Sequence, residues 1–372
     1  MRRFFTLTVI LVSTLFLCGC PVHQWPEPRL IVKGTIHLKF IPDMWVWEHL
    51  VCNTETGEVR EVYPDADFDG SHPGTTDWYI NTVDHGTMRY FVRAYHPYNL
   101  SVPAAEAFLS RDVADGYDCD IEMDLDAGEY LFVVWADIFE SETDSPFYDA
   151  TDFHSVVLQF EEYMANTDYR DAFRGVQSAR FEYIDTRETN VEQPYTIEIE
   201  MRRPMAKFQF ISTDLSEFLQ KEASKRDVDS DTRVLLSDYV VRFHYTGNLP
   251  ISYRAVDDRL ENVTTGVRFD SEIVPIEGNP DGEVSLGFDY VLISDSDNVQ
   301  VPVRVEILHV DGERVALTPE IYVPLRRSHH TILRGEFMST MSQGGVTIDP
   351  EYDGDHNFVF GGGGSWESNP KN

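Results

Sequence analysis

Asp65-Ala66-Asp67-Phe68-Asp69-Gly70 places carboxylates at alternate positions ahead of a glycine. Oxygen ligands at positions one, three and five, with a glycine turn after them, are how the first half of an EF-hand loop surrounds calcium. The twelfth position should be a bidentate Glu, but here it is Thr76, and no amphipathic helices flank the loop. Asp65, Asp67 and Asp69 are therefore expected to form a solvated turn, with calcium the one cofactor the sequence leaves open. Asp227, Asp229 and Asp231 repeat the spacing without the glycine and suit a helix-to-strand loop. His329-His330 precedes a strand, where neighbouring side chains point to opposite faces, so the pair is a poor chelate. There is no Gly-x-Ser-x-Gly elbow, His-Glu-x-x-His, phosphate-binding glycine loop or dinucleotide fingerprint. With 64 acidic residues, carboxylate pairs arise by accident and carry no signal. The chain reads as a non-enzyme.

Three tryptophans in the first half raise a different chemistry. Trp45 and Trp47 share one face of an expected strand, and Trp78 follows. Facing outward they would make a platform for sugars; facing inward they are core. Core is favoured, because large aromatics dominate buried area.

The N-terminus supplies the strongest chemical signal. Met1-Arg2-Arg3 leads into an apolar run from Phe4 to Leu17, a positive region before a short apolar one, as in secretory signals. The run is too short to cross a bilayer core of roughly 30 Å. It ends Leu17-Cys18-Gly19-Cys20, which resembles the bacterial lipobox. Cleavage needs a small side chain before the modified residue, so Gly19 points to Cys20 rather than Cys18 as the lipidated thiol. An ordinary signal with an incidental Cys is the plain alternative. Each buried lipid CH₂ contributes about 0.8 kcal/mol, so several acyl chains on Cys20 make a durable anchor.

Removing residues 1–19 takes away Arg2 and Arg3 and no acid, so a net charge of −34 becomes more negative still. Phosphates would be repelled, which excludes nucleic acid as a partner. Cys52 and Cys119 are left, too few for a disulfide scaffold; one bridge and two buried thiols are both open.

Those residues must be positioned by β-structure. Leu30 to Phe40, Thr87 to Tyr95 and Tyr195 to Met201 alternate apolar and polar residues, as strands with one buried face do. Further strands are expected at 206–211, 239–245, 301–308, 320–323 and 330–337, with hairpin turns at Asp281-Gly282 and Asp311-Gly312. Helix is expected only at 104–109, in part of 153–164 and at 214–225. The expectation is a mostly β protein of two tandem transthyretin-like or immunoglobulin-like β-sandwich domains with few short helices, at 20–201 and 202–350, dividing near Arg203-Pro204. A Gly-rich tail at 351–372 follows a last strand at 345–348. Within Gly128 to Asp137, Tyr130, Phe132 and Val134 should face a core, and Trp135 should be buried.

Several segments together resemble fimbrillin-like lipoproteins of Bacteroidales-type bacteria, in the fimbrial anchor and minor-subunit branch or an allied lipoprotein family. They are the lipobox, Asp126 to Asp137, Arg203 to Phe208, His330 to Phe337 and Gly345 to Gly354. The resemblance implies an outer-membrane, cell-surface lipoprotein. It would assemble with fimbrial or pilus subunits by strand exchange, an extended segment of one subunit completing the sheet of the next. Subunits of that family are released by a trypsin-like cut. Arg29 and Lys33 are the candidates here, and they lack distinguishing context, which favours an anchor or accessory subunit over a polymerising one. A surface glycan-binding lipoprotein of an uptake system is the alternative.

Overall fold

Alternating sequence produces the strands of the computed structural model, which describes residues 31–40, 46–61, 83, 85–141, 145–182, 195–225, 234–276, 282–294, 299–341 and 358–359. In chain order they are β1 (Ile31–Phe40), β2 (Val46–Cys52), β3 (Val59–Glu61), β4 (Thr87–Tyr95), β5 (Ala105–Asp112), β6 (Cys119–Asp126), β7 (Gly128–Phe139), β8 (Tyr148–Asp149), β9 (Val156–Leu158), β10 (Ala172–Phe181), β11 (Tyr195–Arg202) and β12 (Met205–Ser212). After helix α1 (Leu215–Ser224) come β13 (Tyr239–Tyr245), β14 (Leu249–Pro250), β15 (Ser252–Arg254), β16 (Arg259–Leu260), β17 (Asn262–Thr264), β18 (Arg268–Ser271) and β19 (Val274–Pro275). The last are β20 (Val284–Leu292), β21 (Val299–His309), β22 (Arg314–Leu317), β23 (Ile321–Leu325), β24 (His329–Gly335) and β25 (Phe358–Val359). The protein is mostly β, and α1 is the helix expected at 214–225.

A seven-stranded sheet runs β5-β4-β7-β10-β11-β1-β6. Its period-two pattern puts Ile36 and Leu38 of β1, Tyr90 and Val92 of β4, Ile121 and Met123 of β6, and Phe132 and Val134 of β7 into one cluster. Every strand of the sheet adds side chains to that cluster, so the sheet curls around a core of its own. Burying each large apolar side chain contributes roughly 1.5–3 kcal/mol.

A six-stranded sheet, β19-β20-β12-β24-β2-β3, faces a second one, β18-β13-β21-β22, with β23 also paired to β21. Phe208 and Phe210 of β12 meet Phe243 of β13 and Phe269 of β18 between them. Smaller sheets join β14-β17-β25 and β16-β15-β9-β8. Sequence order and sheet membership diverge at the N-terminal end. β1 pairs with β11 and β6, whereas β2 lies parallel to β24, with Trp47 opposite His330.

The two clusters meet across β7. From Phe132 to Ile138 that strand is buried on both faces. Its inner face feeds the curled sheet, while Val133 and Trp135 belong to the larger cluster. Trp135 is buried as expected, but outside the curled sheet's own core, with Tyr148 at 5.5 Å and Tyr253 at 6.0 Å between ring centroids.

Two helix expectations are corrected. Residues 105–109 fall on β5, with Ala104 in the bend before it: Ala, Glu and Leu favour helix intrinsically, but eight residues pair in register with β4 and the burial alternates with period two. Residues 153–164 contain β9, turns and bends instead of helix. There Phe153, Val156, Leu158 and Tyr163 are buried at spacings no single helix face provides.

Candidate functional site

The ends of the seven-stranded sheet are its distinctive feature. β5 pairs with β4, and β6 pairs with β1. The two end strands lie close together, yet no ladder joins them among the described residues. Residues 113–118 connect them through a short 3₁₀ turn, Val113–Asp115, capped by Asp112. Arg111 closes that end of the gap, donating to the carbonyls of Asp118 at 2.9 Å and Asp115 at 2.6 Å.

The side chains beside this seam are small on one strand and large on the other. Ala105, Ala107 and Leu109 of β5 pack partly buried against the inner cluster, while Ile121, Met123 and Leu125 of β6 are buried. On the outer face β6 exposes Asp120, Glu122, Asp124 and Asp126, and β5 exposes Glu106 and Asp112. His37 lies 2.7 Å from Asp120 and Arg93 2.7 Å from Glu106. Phe108 stands outward, 58% exposed, against Phe91. Charge on an edge strand hinders indiscriminate pairing. The seam thus runs between two strand edges with no ladder joining them among the described residues, alanines below β5, larger apolar side chains below β6 and acids above both.

A buried polar network holds the segment after β9 onto the sandwich. Lys207 contacts Asp168 at 2.7 Å, Arg203 contacts Asp171 at 2.8 Å, and Arg170 pairs with Asp289. The Asp289 carboxylate beside Arg170 holds the guanidinium in its charged form. On β7 Asp137 accepts two hydrogen bonds from Arg89, at 2.7 and 2.8 Å, and one from Trp135 Nε1 at 3.0 Å. Burial pushes the Asp137 carboxyl up. Each of these charges is matched by a partner, an arrangement that serves structure.

The residues singled out from sequence fall as follows. Cys20, Asp65, Asp67, Asp69, Trp45, Trp78, Asp227, Asp229, Asp231 and the 345–348 strand lie outside the described residues, as does Asp281. Trp47 is on β2. Among the described residues no group of His, Cys, Asp and Glu could hold a metal. His329 and His330 diverge: His329 Nδ1 is 2.7 Å from the Arg327 carbonyl, while His330 is buried and its pKa falls well below 6.5 because burial disfavours the cation. Asp311-Gly312 forms the β21–β22 turn, with Gly312 at φ +92°. The Cys52–Cys119 bridge is not made. Both thiols are free and buried in different clusters, and burial pushes them up to about 12 and about 11.

Sequence reasoning missed the seam, because one of its edges was expected to be a helix. The alternation Ala105, Ala107, Leu109 was the available signal.

The described residues thus build a mostly β chain with two hydrophobic clusters and a seven-stranded sheet whose end strands are not joined by a ladder. The chain belongs to a family of unknown function, DUF6562, whose model matches residues 63–368. No curated protein matches it. Among solved structures, one described as a cell adhesion protein of Bacteroides ovatus superposes with a TM-score of 0.38 at 11% identity, over 84% of this chain and 95% of that one. The fimbrial anchor protein Mfa2 of Porphyromonas gingivalis gives 0.35 at 12% identity, over 77% and 82%. The tip fimbrial protein Mfa3 of the same organism gives 0.34 at 11%, over 82% and 94%.

Proposed function

We propose that this protein is a cell-surface lipoprotein, held in the outer membrane through acylated Cys20, that serves as a fimbrial anchor or accessory subunit and works by strand pairing rather than catalysis. The observation that carries the reading is the pair of end strands: among the described residues β5 is paired to β4 alone and β6 to β1 alone, each with one edge outside a ladder. A partner strand laid along either edge gains backbone hydrogen bonds, and its alternate side chains settle over Ala105 and Ala107. The acidic outer faces of both strands disfavour a second copy of this acidic chain. They favour a donor with Lys or Arg at alternate positions. In this reading residues 20–201 and 202–350 are two β-sandwich units, with β2, β3, β8 and β9 joined to sheets of the second, and 351–372 is a tail whose β25 pairs with β17.

The test compares Phe108→Pro with Leu109→Pro in cells carrying the full chain. Successive strand N–H groups point to opposite sides, so one proline removes a β4 bond and the other a bond offered to the partner. Unheated surface fractions should show a ladder of multimers that collapses on boiling. The proline facing the partner should abolish the ladder while leaving the melting temperature near wild type. Labelled fatty acid should enter the wild type and not Cys20→Ser. A lipid-free mature protein, or ladders indifferent to both prolines, overturns the proposal.

A further inference from the structure

Tyr98 is 85% exposed, the most exposed large apolar side chain among the described residues. It is nevertheless held in place. Pro97 and Tyr98 occupy the middle of a tight turn closed by the Asn99 N–H donating to the His96 carbonyl at 2.8 Å. Pro fixes φ at the first of those positions. Asn99 Oδ1 accepts from the Ser101 N–H at 3.1 Å, stiffening the exit. The Tyr98 ring stacks on His96 at 5.1 Å with 8° between planes, and His96 stacks in turn on Tyr130 at 5.0 Å and 28°. Tyr130 is buried and anchored by its hydroxyl, which donates to the Asp126 carbonyl at 2.9 Å. A column of rings therefore rises from the core and leaves one aromatic face in solvent.

Tyr98 and His96 line an open surface depression of about 560 Å³ that also reaches Gly128, Glu129 and Arg180. Arg180 and Glu129 lie 3.5 Å apart, both mostly exposed, so a donor fork and an acceptor pair stand beside the ring. A flat, fixed aromatic surface next to paired donors and acceptors matches a pyranose, whose C–H face is apolar and whose rim is hydroxyls. An acidic sugar would meet the field of a chain with net charge −34, and the paired Arg180 and Glu129 offer hydroxyls a donor and an acceptor together. We infer that Tyr98, stacked on His96 and flanked by Arg180 and Glu129, is a platform for a sugar ring of a neutral glycan. The inference stands independently of strand pairing at the seam.

The test is native affinity electrophoresis of the full mature protein in gels containing soluble mannan, xylan, starch or mixed-linkage β-glucan. At least one should retard the wild type. Tyr98→Ala should weaken the apparent affinity about tenfold, the size of one lost ring-stacking contact at its upper range. Tyr98→Trp should keep it, and Arg180→Ala should reduce it. Circular dichroism and melting of Tyr98→Ala should match wild type, because an exposed turn residue contributes little packing, and its multimer ladder should be intact. Retardation by none of the four polysaccharides, or equal retardation of wild type and Tyr98→Ala, overturns the inference.

Discussion

Arg170 and Asp289 pair inside the protein, the guanidinium 2% exposed and the carboxylate fully buried. Arg170 also donates to the carbonyls of Met164 at 3.1 Å and Tyr290 at 2.9 Å, and Asp289 accepts from the hydroxyls of Tyr163, at 2.7 Å, and Tyr245. Desolvating both charges costs much of what their attraction returns, so the intact pair adds little net stability, whereas losing one partner strands the other. Arg170→Met should lower unfolding free energy by about 3–5 kcal/mol in urea titration. The double replacement Arg170→Met with Asp289→Leu should recover most of it. A single substitution costing under about 1 kcal/mol would mean that the pair does not hold the segment.

Acid sensitivity should centre on Glu306. Its carboxylate is hydrogen-bonded by His244 Nε2 at 3.1 Å and by Arg314, and these hold its pKa down to about 2 against an ordinary 4.5. A carboxylate with a depressed folded pKa stabilises the fold above its unfolded pKa, and that stability drains away as pH falls from about 4.5 toward 2. The contribution at neutral pH is about 2–3 kcal/mol, the lower end reflecting solvent screening of the half-exposed Arg314. Urea midpoints measured from pH 6 down to pH 2 should fall less steeply in Glu306→Gln than in wild type. Parallel curves would contradict the assignment.

Much of the sheet content was legible because period-two alternation is written directly into strands with one buried face. In burial Tyr239 to Tyr245 carries it at every step and Thr87 to Tyr95 at every step but the last, and both strands fall at those residues. Register with distant partners is not local information. Nothing near Val46 says that β2 will lie parallel to β24, nearly three hundred residues away. β5 was illegible for a related reason: Ala, Glu and Leu describe a helix until β4 offers eight pairing positions. The Arg170–Asp289 pair and the Tyr98–His96 stack depend on tertiary placement. In sequence they are one charge among many and one aromatic beside a proline.

The thiols should be inert. Cys52 and Cys119 sit in separate clusters, and burial lifts their pKa to about 12 and about 11. The nucleophile is the thiolate, whose ordinary pKa is near 8.5. A disulfide reagent at pH 8 should therefore leave both nearly unmodified in native mature protein and titrate two thiols on denaturation. Rapid native reaction of either would show that its strand opens readily.

Gly287 should tolerate no side chain. It lies at φ +147°, at the point where β12 and β20 slip register between Phe210 and Ile211. A Cβ there would stand 2.8 Å from Ser271 Oγ and 2.9 Å from both Asn166 Oδ1 and Phe243 Cε2. Asn166 uses that Oδ1 to accept from the Phe288 N–H at 2.7 Å, and its own N–H donates to the Phe288 carbonyl at 3.0 Å. The bulge thus opens room for the segment that ends in Arg170. Gly287→Ala combines backbone strain with a clash against that docking, and each strained position costs on the order of 1–3 kcal/mol. Asn166→Ala removes the accepted side-chain bond, worth about 1 kcal/mol, and leaves an alanine at φ +56°, a conformation that asparagine tolerates better. Thermal melts should rank wild type above Asn166→Ala above Gly287→Ala. The two changes should be less than additive, since alanine at 166 removes the atom that a Cβ at 287 would strike; full additivity would separate the bulge from the docking of this segment.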